Sequence, residues 1–531
     1  MTNSSRGPTV RIVAVNDVYS LENLPRLRTL VKHHRETDPA DLFLVTLAGD
    51  FVAPSILSSL DFGRAMVECM RMIGVTHAIL GNHEDDIPIE ALRSRIDELG
   101  ATFIATNVSF EPPLPKSQVL TVGRVRLGLV GVVMIDEATY RRPPFGGGEL
   151  RPPNAAARAE AARLMREERC TVVVPLTHQT LTEDCQLARD QRDPVFPVII
   201  GGHEHVVVLE EIEGTWIEKA GADAFHAAVV DLAWPASPPA GAADLPAVRV
   251  RMDEVADYAE DAELRAVVNG HLDAVRELQD AALRSIPPGE TLSSVGARRQ
   301  QTSMGTLVCT SVREALGADG CLINGGGIRG SHEYRGRLTY ADVKTEVPFD
   351  NEIVVAMLPG RVLRDAVAVS RARAPAESGS FLQVDDGIVV AEDGVVTSIG
   401  GAPLDLERPY AIALVRNLLS GLDRIEPLVR WARENPEHVP PIGCGRETKQ
   451  IIIEAFSLAI WRTLGGFDAV DTDHDGLVTE AEVLAAMGEH HGRSRITARL
   501  VVAALDRNAD LMISREEADG PPVPPSPHRP R

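Results

Sequence analysis

Nothing in this 531-residue sequence pairs its cysteines. Cys69, Cys170, Cys185, Cys309, Cys321 and Cys444 are scattered, without a CxxC pair or the dense framework that staples small secreted domains, so they read as reduced thiols. Also absent is any stretch near the ~20 apolar residues that a membrane helix needs. Residues 1–8 are polar and run straight into the apolar stretch 10–15, too short for a signal segment with its cleavage site. A cytoplasmic location with no membrane partner is the expectation. Positive charge is in deficit: 54 Lys and Arg against 76 Asp and Glu leave a formal charge of −22. That balance disfavours a nucleic-acid polymer or an anionic surface as partner and favours multivalent cations.

What is present is a globular composition, 44% hydrophobic and 24% charged. At roughly 150 residues per domain the length exceeds one core, and three folded units are expected. Through the first half, short β-rich runs at 10–15, 42–47, 77–80, 171–176 and 198–200 alternate with helical stretches at 24–34, 62–73 and 154–169. This is α/β patterning, with polar residues at the C-terminal ends of the strands, where open α/β sheets gather ligands. A loop rich in Pro, Ala and Gly, 234–248, interrupts a hairpin completed by 249–252. The expected boundaries are a first domain at 1–255, a connecting helix at 256–289, and a second α/β domain at 290–445. An all-α segment with two acidic loops at 446–520 and a disordered Pro-rich tail at 521–531 complete the chain.

Five segments, each following an apolar run, carry chemistry: Asn16-Asp17-Val18-Tyr19, Gly49-Asp50, Gly81-Asn82-His83-Glu84-Asp85-Asp86, His178 and Gly202-His203-Glu204-His205. Turns after buried strands gather Asp, Asn and His into one pocket of mixed oxygen and nitrogen donors, a set that transition metals accept. In this order the segments resemble the calcineurin-like metallophosphoesterase superfamily over residues 10–233. The resemblance implies a β-sandwich flanked by helices and a pair of divalent metals, drawn from Mn, Co, Fe, Zn, Ni and Mg. By it Asp17 and His205 are ligands of the first metal, Asn82, His178 and His203 are ligands of the second, and Asp50 bridges the two. His83 faces the phosphoester as the catalytic group, with Asp86 as its dyad partner. One position departs from the family: Tyr19 stands where its first motif carries a histidine, and a weaker first site is expected. Whether Tyr19 coordinates a metal or packs above the pocket stays open in the sequence.

Further along come Arg298, the segments Ser303-to-Val308 and Asn324-Gly325-Gly326-Gly327-Ile328-Arg329, and Pro348-Phe349-Asp350-Asn351. In order and spacing they resemble the substrate domain of 5′-nucleotidases over residues 290–423. Glycines let a backbone approach a ligand closely, and Arg reads anionic oxygens bidentately. The resemblance implies that Arg298, Asn324, Arg329, Phe349 and Asp423 bind substrate, with Phe349 as one of two rings that sandwich a base. The position of the second ring offers only Leu418 and Leu419. A small phosphorylated substrate, a nucleotide before others, is the expected partner.

The run 471–482 matches the EF-hand calcium loop: Asp471, Asp473, Asp475, the Leu477 carbonyl, Thr479 and Glu482 at the ligand positions, and Gly476 at the sixth. A second loop offers Asp506, Asn508, Asp510, Met512, Ser514 and Glu517 but has Leu511 at the sixth position, so a lower affinity for Ca2+ is expected. Val478 and Ile513 are expected to pair the two loops, and a protein partner of the pair is conceivable. The reading is a metal-dependent phosphomonoester hydrolase with a calcium-binding module. Its rivals are a phosphatase of a sugar phosphate, a cyclic-nucleotide phosphodiesterase, and a calcium-dependent interaction protein with a decayed phosphatase core.

Overall fold

In the first of two compact units, Met1–Asp273, buried strands alternate with amphipathic helices. The computed structural model describes residues 7–37, 39–136, 140, 144–190, 196–237, 244–349, 351–441, 443–487 and 494–520. Asp350 and the expected tail at 521–531 lie outside them. The elements of this unit are β1 (Thr9–Val15), α1 (Leu24–Glu36), β2 (Leu42–Ala48), α2 (Ser58–Asp61), α3 (Arg64–Ile73), β3 (His77–Ile79), α4 (Ile89–Leu99) and β4 (Thr102–Phe103). After them come β5 (Ser117–Val122), β6 (Val125–Val133), α5 (Pro153–Glu167), β7 (Val172–His178) and α6 (Leu181–Arg189). β8 (Val198–Gly202), β9 (Val207–Ile212), β10 (Thr215–Ala220), β11 (His226–Ala233) and β12 (Ala247–Glu254) follow.

The strands form two six-stranded sheets, ordered β12-β11-β1-β2-β3-β4 and β5-β6-β7-β8-β10-β9. Ile12, Leu44 and Ile79 of the first sheet meet Leu129, Leu176 and Ile200 of the second in one core, which makes the unit a sandwich. On the outer face of the second sheet, Val132, Ile199 and Ile217 pack with Ala157, Ala161 and Leu187 of α5 and α6. Strands covered on both faces read as continuous apolar runs. β1, β2 and β3 are mutually parallel, as are β7 and β8, so their C-terminal ends point the same way within each sheet. The hairpins β5–β6 and β9–β10 add strands that the sequence pattern does not single out.

One residue of the sandwich core is out of place. Glu218 of β10 pairs with Ile200 and so shares its face between the sheets; it is 1% exposed, and neither carboxylate oxygen has a hydrogen-bond partner. Burial pushes its pKa up to about 8, against the opposing charge of Lys219. A carboxyl raised in the folded state keeps a proton that the unfolded chain releases near pH 4.5, so stability falls as pH rises through that window and the full penalty holds above about 8. Glu218→Met is expected to stabilise the fold, with a gain roughly 3 kcal/mol larger at pH ~8.5 than at pH ~5.5. Equal gains at both pH values in a calorimetric scan would contradict this.

The second unit is Ala274–Arg531. The stretch expected as one connecting helix, 256–289, holds α7 (Ala262–Leu278) and then a strand, β13 (Ala282–Ser285). Pairing with β17 (Arg337–Thr339) and burial of Leu283 override the helical pattern there. The remaining elements begin with β14 (Leu292–Ser293), α8 (Ser303–Ala315), β15 (Gly320–Asn324), β16 (Glu333–Tyr334), α9 (Tyr340–Glu346), β18 (Glu352–Pro359) and α10 (Gly360–Arg371). Next are β19 (Leu382–Val384), β20 (Ile388–Val390), β21 (Val396–Ile399), β22 (Ala402–Pro403), β23 (Pro409–Val415), α11 (Glu426–Glu434) and β24 (Arg446–Glu447). A five-stranded sheet, β19-β15-β23-β18-β24, forms its α/β part.

α12 (Thr448–Thr463) packs against α8 and β13 and also against α15 (Arg495–Leu505). The acidic loops join α13 (Phe467–Val470) to β25 (Leu477–Thr479) and α14 (Glu480–Ala486), and α15 to β26 (Met512–Ser514) and α16 (Arg515–Asp519). β25 and β26 are antiparallel, with Val478 opposite Ile513 as expected, over a core of Trp461, Phe467, Val483, Val501 and Ile513. This part lies in the same compact unit as the α/β sheet.

Candidate metal and phosphate site

Strand ends of both sheets place the first-unit motifs together. The Asp17 N–H donates to Gly49 O at 3.1 Å and the Val18 N–H to Asp50 O at 2.9 Å, which ties the turns after β1 and β2. Asp17, Asp50 and His203 have φ of 52°, 54° and 85°, a left-handed backbone that side-chain-bearing residues seldom adopt and that clusters at functional sites. Gly81 is required by a close approach: a Cβ there would stand 2.1 Å from Asp50 Oδ1. The carboxylate of Glu84, fully buried, accepts the N–H groups of Asp50, Phe51, Val52 and Gly81 at 2.8, 2.8, 3.2 and 2.5 Å. Burial and the charge of Asp50 raise its pKa to about 7. The sequence shows Glu84 inside its motif without revealing this role, and it does not single out Asp223, which accepts the Tyr19 and Ser20 N–H groups at 2.9 Å each.

Asp50, His178 and His203 bring one ligand atom each within 4.8 Å of one another, a group that could hold a metal ion. His178 Nδ1 lies 2.8 Å from Ala48 O, a contact only an N–H donor makes well, so the neutral ring carries its lone pair on Nε2. That Nε2 faces Asp50 Oδ2 at 3.0 Å and Asn82 Oδ1 at 3.2 Å. Three electron-rich atoms thus converge where only a proton or a cation relieves their repulsion, and the donor set fits a divalent metal. In the metal-free protein the proton does so: burial opposes the charged ring, but Asp50 outweighs it and raises the His178 pKa to about 9. Asp50 is held below the usual carboxylate range by His178 and His83, despite its burial. Burial and the neighbouring His178 depress His203 to about 3, which leaves it neutral and able to coordinate.

Asp17 completes the adjoining cluster. Its Oδ2 accepts the His203 N–H at 2.8 Å and Asn16 Nδ2 at 2.6 Å, and its Oδ1 lies 3.4 Å from His205 Nε2. The Tyr19 hydroxyl sits among these donors, 3.2 Å from Asp17 Oδ1, 3.3 Å from Asp50 Oδ2 and 3.1 Å from His205 Nε2. Burial, then Asp50, Asp17 and Glu84, push its pKa well above the ordinary phenol value. His83 and Asp86 share one 3-10 turn, in which residues three apart eclipse, and His83 Nδ1 lies 2.6 Å from Asp86 Oδ2. Burial opposes protonation of this ring, yet Asp50 and Asp86 together raise its pKa to about 10.

The second unit gathers the other set. Asn324, at the end of β15, donates from Nδ2 to Asp423 Oδ2 at 2.6 Å, while its buried Oδ1 has no hydrogen-bond partner. The Arg329 guanidinium lies 5.2 Å from the ring centroid of Phe349, a residue that is 43% exposed. Arg298 accepts the Ser378 N–H through its carbonyl at 2.8 Å, and Gly379, next to Ser378, packs on Gly326. Leu418 and Leu419 are buried and offer no surface for stacking. In the acidic loops, Asp471, Asp473 and Asp475 also converge within 4.8 Å. Glu482 accepts from Thr472 and Thr479, and Glu517 likewise from Arg507 and Ser514.

Comparison with known proteins agrees with both halves. Residues 10–207 match the family described as calcineurin-like phosphoesterase, and residues 282–430 match the 5′-nucleotidase C-terminal domain. Protein UshA of Yersinia enterocolitica is 24% identical over 404 residues, 66% of this chain and 73% of that protein. A 5′-nucleotidase of Vibrio vulnificus is 24% identical over 389 residues, covering 64% and 70%. Among solved structures, a 5′-nucleotidase precursor from Thermus thermophilus shares the fold with a TM-score of 0.53 at 20% identity, over 84% of this chain and 96% of that one. The NAD nucleotidase of Haemophilus influenzae does so with a TM-score of 0.65 at 16% identity, over 85% and 96%. The chain therefore carries a calcineurin-like phosphoesterase domain followed by a 5′-nucleotidase C-terminal domain, and it is a phosphoesterase hydrolase.

Proposed function

We propose that the chain hydrolyses a nucleotide-like phosphate monoester with two divalent metals and binds calcium in its C-terminal loops. The observation that carries the hydrolytic reading is the convergence of His178 Nε2, Asp50 Oδ2 and Asn82 Oδ1 on one point. Asn82, His178, His203 and Asp50 would hold one metal, and Asp17, Asp50, His205 and the Tyr19 oxygen the other. Such a pair polarises phosphoryl oxygens and activates water when bound. The chain's own work is to hold these donors in place and to manage protons. Asp86 occupies Nδ1 of His83, which leaves Nε2 as the ring nitrogen able to donate to the leaving oxygen. Glu84 keeps the turns that carry Asp50 and Gly81 in register.

For the organic part of the substrate, the exposed face of Phe349 suits a flat ring, Asn324 and Asp423 suit hydroxyl groups, and Arg298 and Arg329 suit anionic oxygens. The named 5′-nucleotidase relatives support a nucleotide. The buried Leu418 and Leu419 favour a second reading, a sugar phosphate or other monoester without a base to sandwich. A phosphatase screen of the full chain over nucleoside monophosphates and sugar phosphates, with Mn2+, Co2+ or Mg2+ and with a chelator, tests both. Phosphate release that chelation leaves unchanged would sink the metal mechanism, and release from sugar phosphates alone would sink the nucleotide reading.

Calcium binding is supported by Asp471, which is 5% exposed with Oδ1 lacking any hydrogen-bond partner, beside Asp473 and Asp475. The second loop is internally occupied: Asp506 accepts the N–H groups of Asn508, Ala509 and Leu511, and Leu511 takes a φ of 65° where Gly476 has 88°. Calorimetric titration is expected to give two calcium affinities at least ~10-fold apart, with Asp471→Ala removing the tighter. A single affinity that survives this substitution would refute the assignment.

A further inference from the structure

Lys219 is a charge where the chain buries few others. In β10 it pairs with Gly201 of β8 and, one residue from Glu218, turns to the opposite face of the sheet, the one that α6 covers. Its side chain is fully buried. Gly201 makes room for the stem, since a Cβ there would stand 2.8 Å from Lys219 Cε. Four oxygens surround Nζ: Asp184 Oδ2 at 2.9 Å, Gln179 O and Gly202 O at 2.7 Å each, and Glu204 Oε2 in close contact. Removing an ammonium from water costs several kcal/mol unless carboxylates and dipoles replace the solvent. Here two of each do so, and Asp184 and Glu204 keep the lysine charged against its burial.

The four oxygens share a location. Gln179 directly follows His178, while Gly202 and Glu204 flank His203. Gln179 Nε2 donates to Asp184 Oδ1 at 2.9 Å, and the Leu181 N–H, at the start of α6, donates to Glu204 Oε1 at 2.5 Å. One ammonium thus ties the end of β7, the end of β8 and the first turns of α6. Between its two anchors His203 holds the left-handed backbone, which costs a residue with a side chain about 1 kcal/mol or more and persists only when its surroundings enforce it.

We propose that Lys219 is a positioning residue for the metal-holding histidines. By fixing the backbone on both sides of His203 and just after His178, it sets where the two rings meet Asp50. The proposal rests on the reading of Asp50, His178 and His203 as a metal site. A lysine that merely stabilised the fold would lower the melting temperature and leave the ion affinity of the folded protein unchanged, so the two roles separate.

The test uses full-length Lys219→Met and Glu204→Gln, the second altering a side chain that is 27% exposed and keeping its shape. Each is stripped with chelator, titrated with Mn2+ by calorimetry, and melted metal-free in parallel. Mn2+ affinity is expected to fall about 10–100-fold in Lys219→Met and less in Glu204→Gln, as for other groups that orient metal ligands, with kcat largely restored at saturating Mn2+. Affinity within about twofold of wild type in both variants overturns the proposal, whatever the melting temperatures do. If Lys219→Met does not fold, Glu204→Gln decides alone. A wild-type chain that takes up no Mn2+ overturns the metal reading itself and this proposal with it, a failure seen in a different sample.

Discussion

Replacing His83 with alanine is expected to lower kcat by about 10²–10⁴-fold while the protein keeps its bound metal, because the proposed mechanism gives the ring to the chemistry and not to the donor set. Its Nδ1 is engaged by Asp86 at 2.6 Å, and no His83 atom is among the convergent ligand atoms of Asp50, His178 and His203. Two negative partners, Asp50 and then Asp86, hold it protonated. Once a bound cation neutralises Asp50, Asp86 is the stronger of the acidic partners that remain, ahead of Glu84. Asp86→Asn is therefore expected to move the alkaline limb of the kcat/KM profile down by roughly 1–2 pH units, since the conjugate acid loses its stabilising charge. Metal analysis and pH–rate profiles on the same preparations check both statements. Loss of metal in His83→Ala would remove the division of roles, and an unmoved alkaline limb in Asp86→Asn would break the dyad.

Tyr19→His is expected to tighten the proposed first metal site by about 10–100-fold and to bring stoichiometry towards two ions per chain. The phenol is a neutral oxygen donor with an ordinary pKa near ~10, a poorer ligand than imidazole. Its surroundings make ionisation harder still in the metal-free protein, through burial first and then through Asp50, Asp17 and Glu84. The hydroxyl has one proton to give and two carboxylate oxygens within 3.3 Å, so one of them stays unsatisfied by it. A wild-type chain that already binds two ions tightly, with Tyr19→Phe changing neither, would show that Asp17, Asp50 and His205 suffice.

The strand-end motifs are legible in the sequence because the chemistry demands polar residues directly after apolar runs, and β1, β2, β3, β7 and β8 deliver them to one place. The acidic loops are legible because the two runs share one spacing of acidic residues and place an apolar residue at the same point in each, where Val478 pairs with Ile513. The role of Glu84 is not, since it depends on N–H groups from two turns distant in sequence. Nor does the pattern locate β13, because a short stretch of mixed polarity becomes a strand only through its partner β17. Lys219 and Glu218 stand as two adjacent charges in an apolar strand; the sequence shows the anomaly, while only the fold shows that one is paired and the other is not. For Tyr19 the sequence leaves coordination and packing open, and the fold puts its hydroxyl among the donors.

α12 belongs to two cores at once. Its Thr448 donates from both N–H and Oγ1 to the Asn351 carbonyl, two residues from Phe349, and its far end supplies Ile460 and Trp461 to the cluster beneath the acidic loops. Between them runs a rod of about 24 Å, at 1.5 Å for each of its 16 residues. A chain ending before this element would strip the cover from α8 and β13, and one ending just after it would uncover Ile460 and Trp461. Whatever stiffens the loops therefore braces the same body that carries Asn324, Arg329 and Phe349.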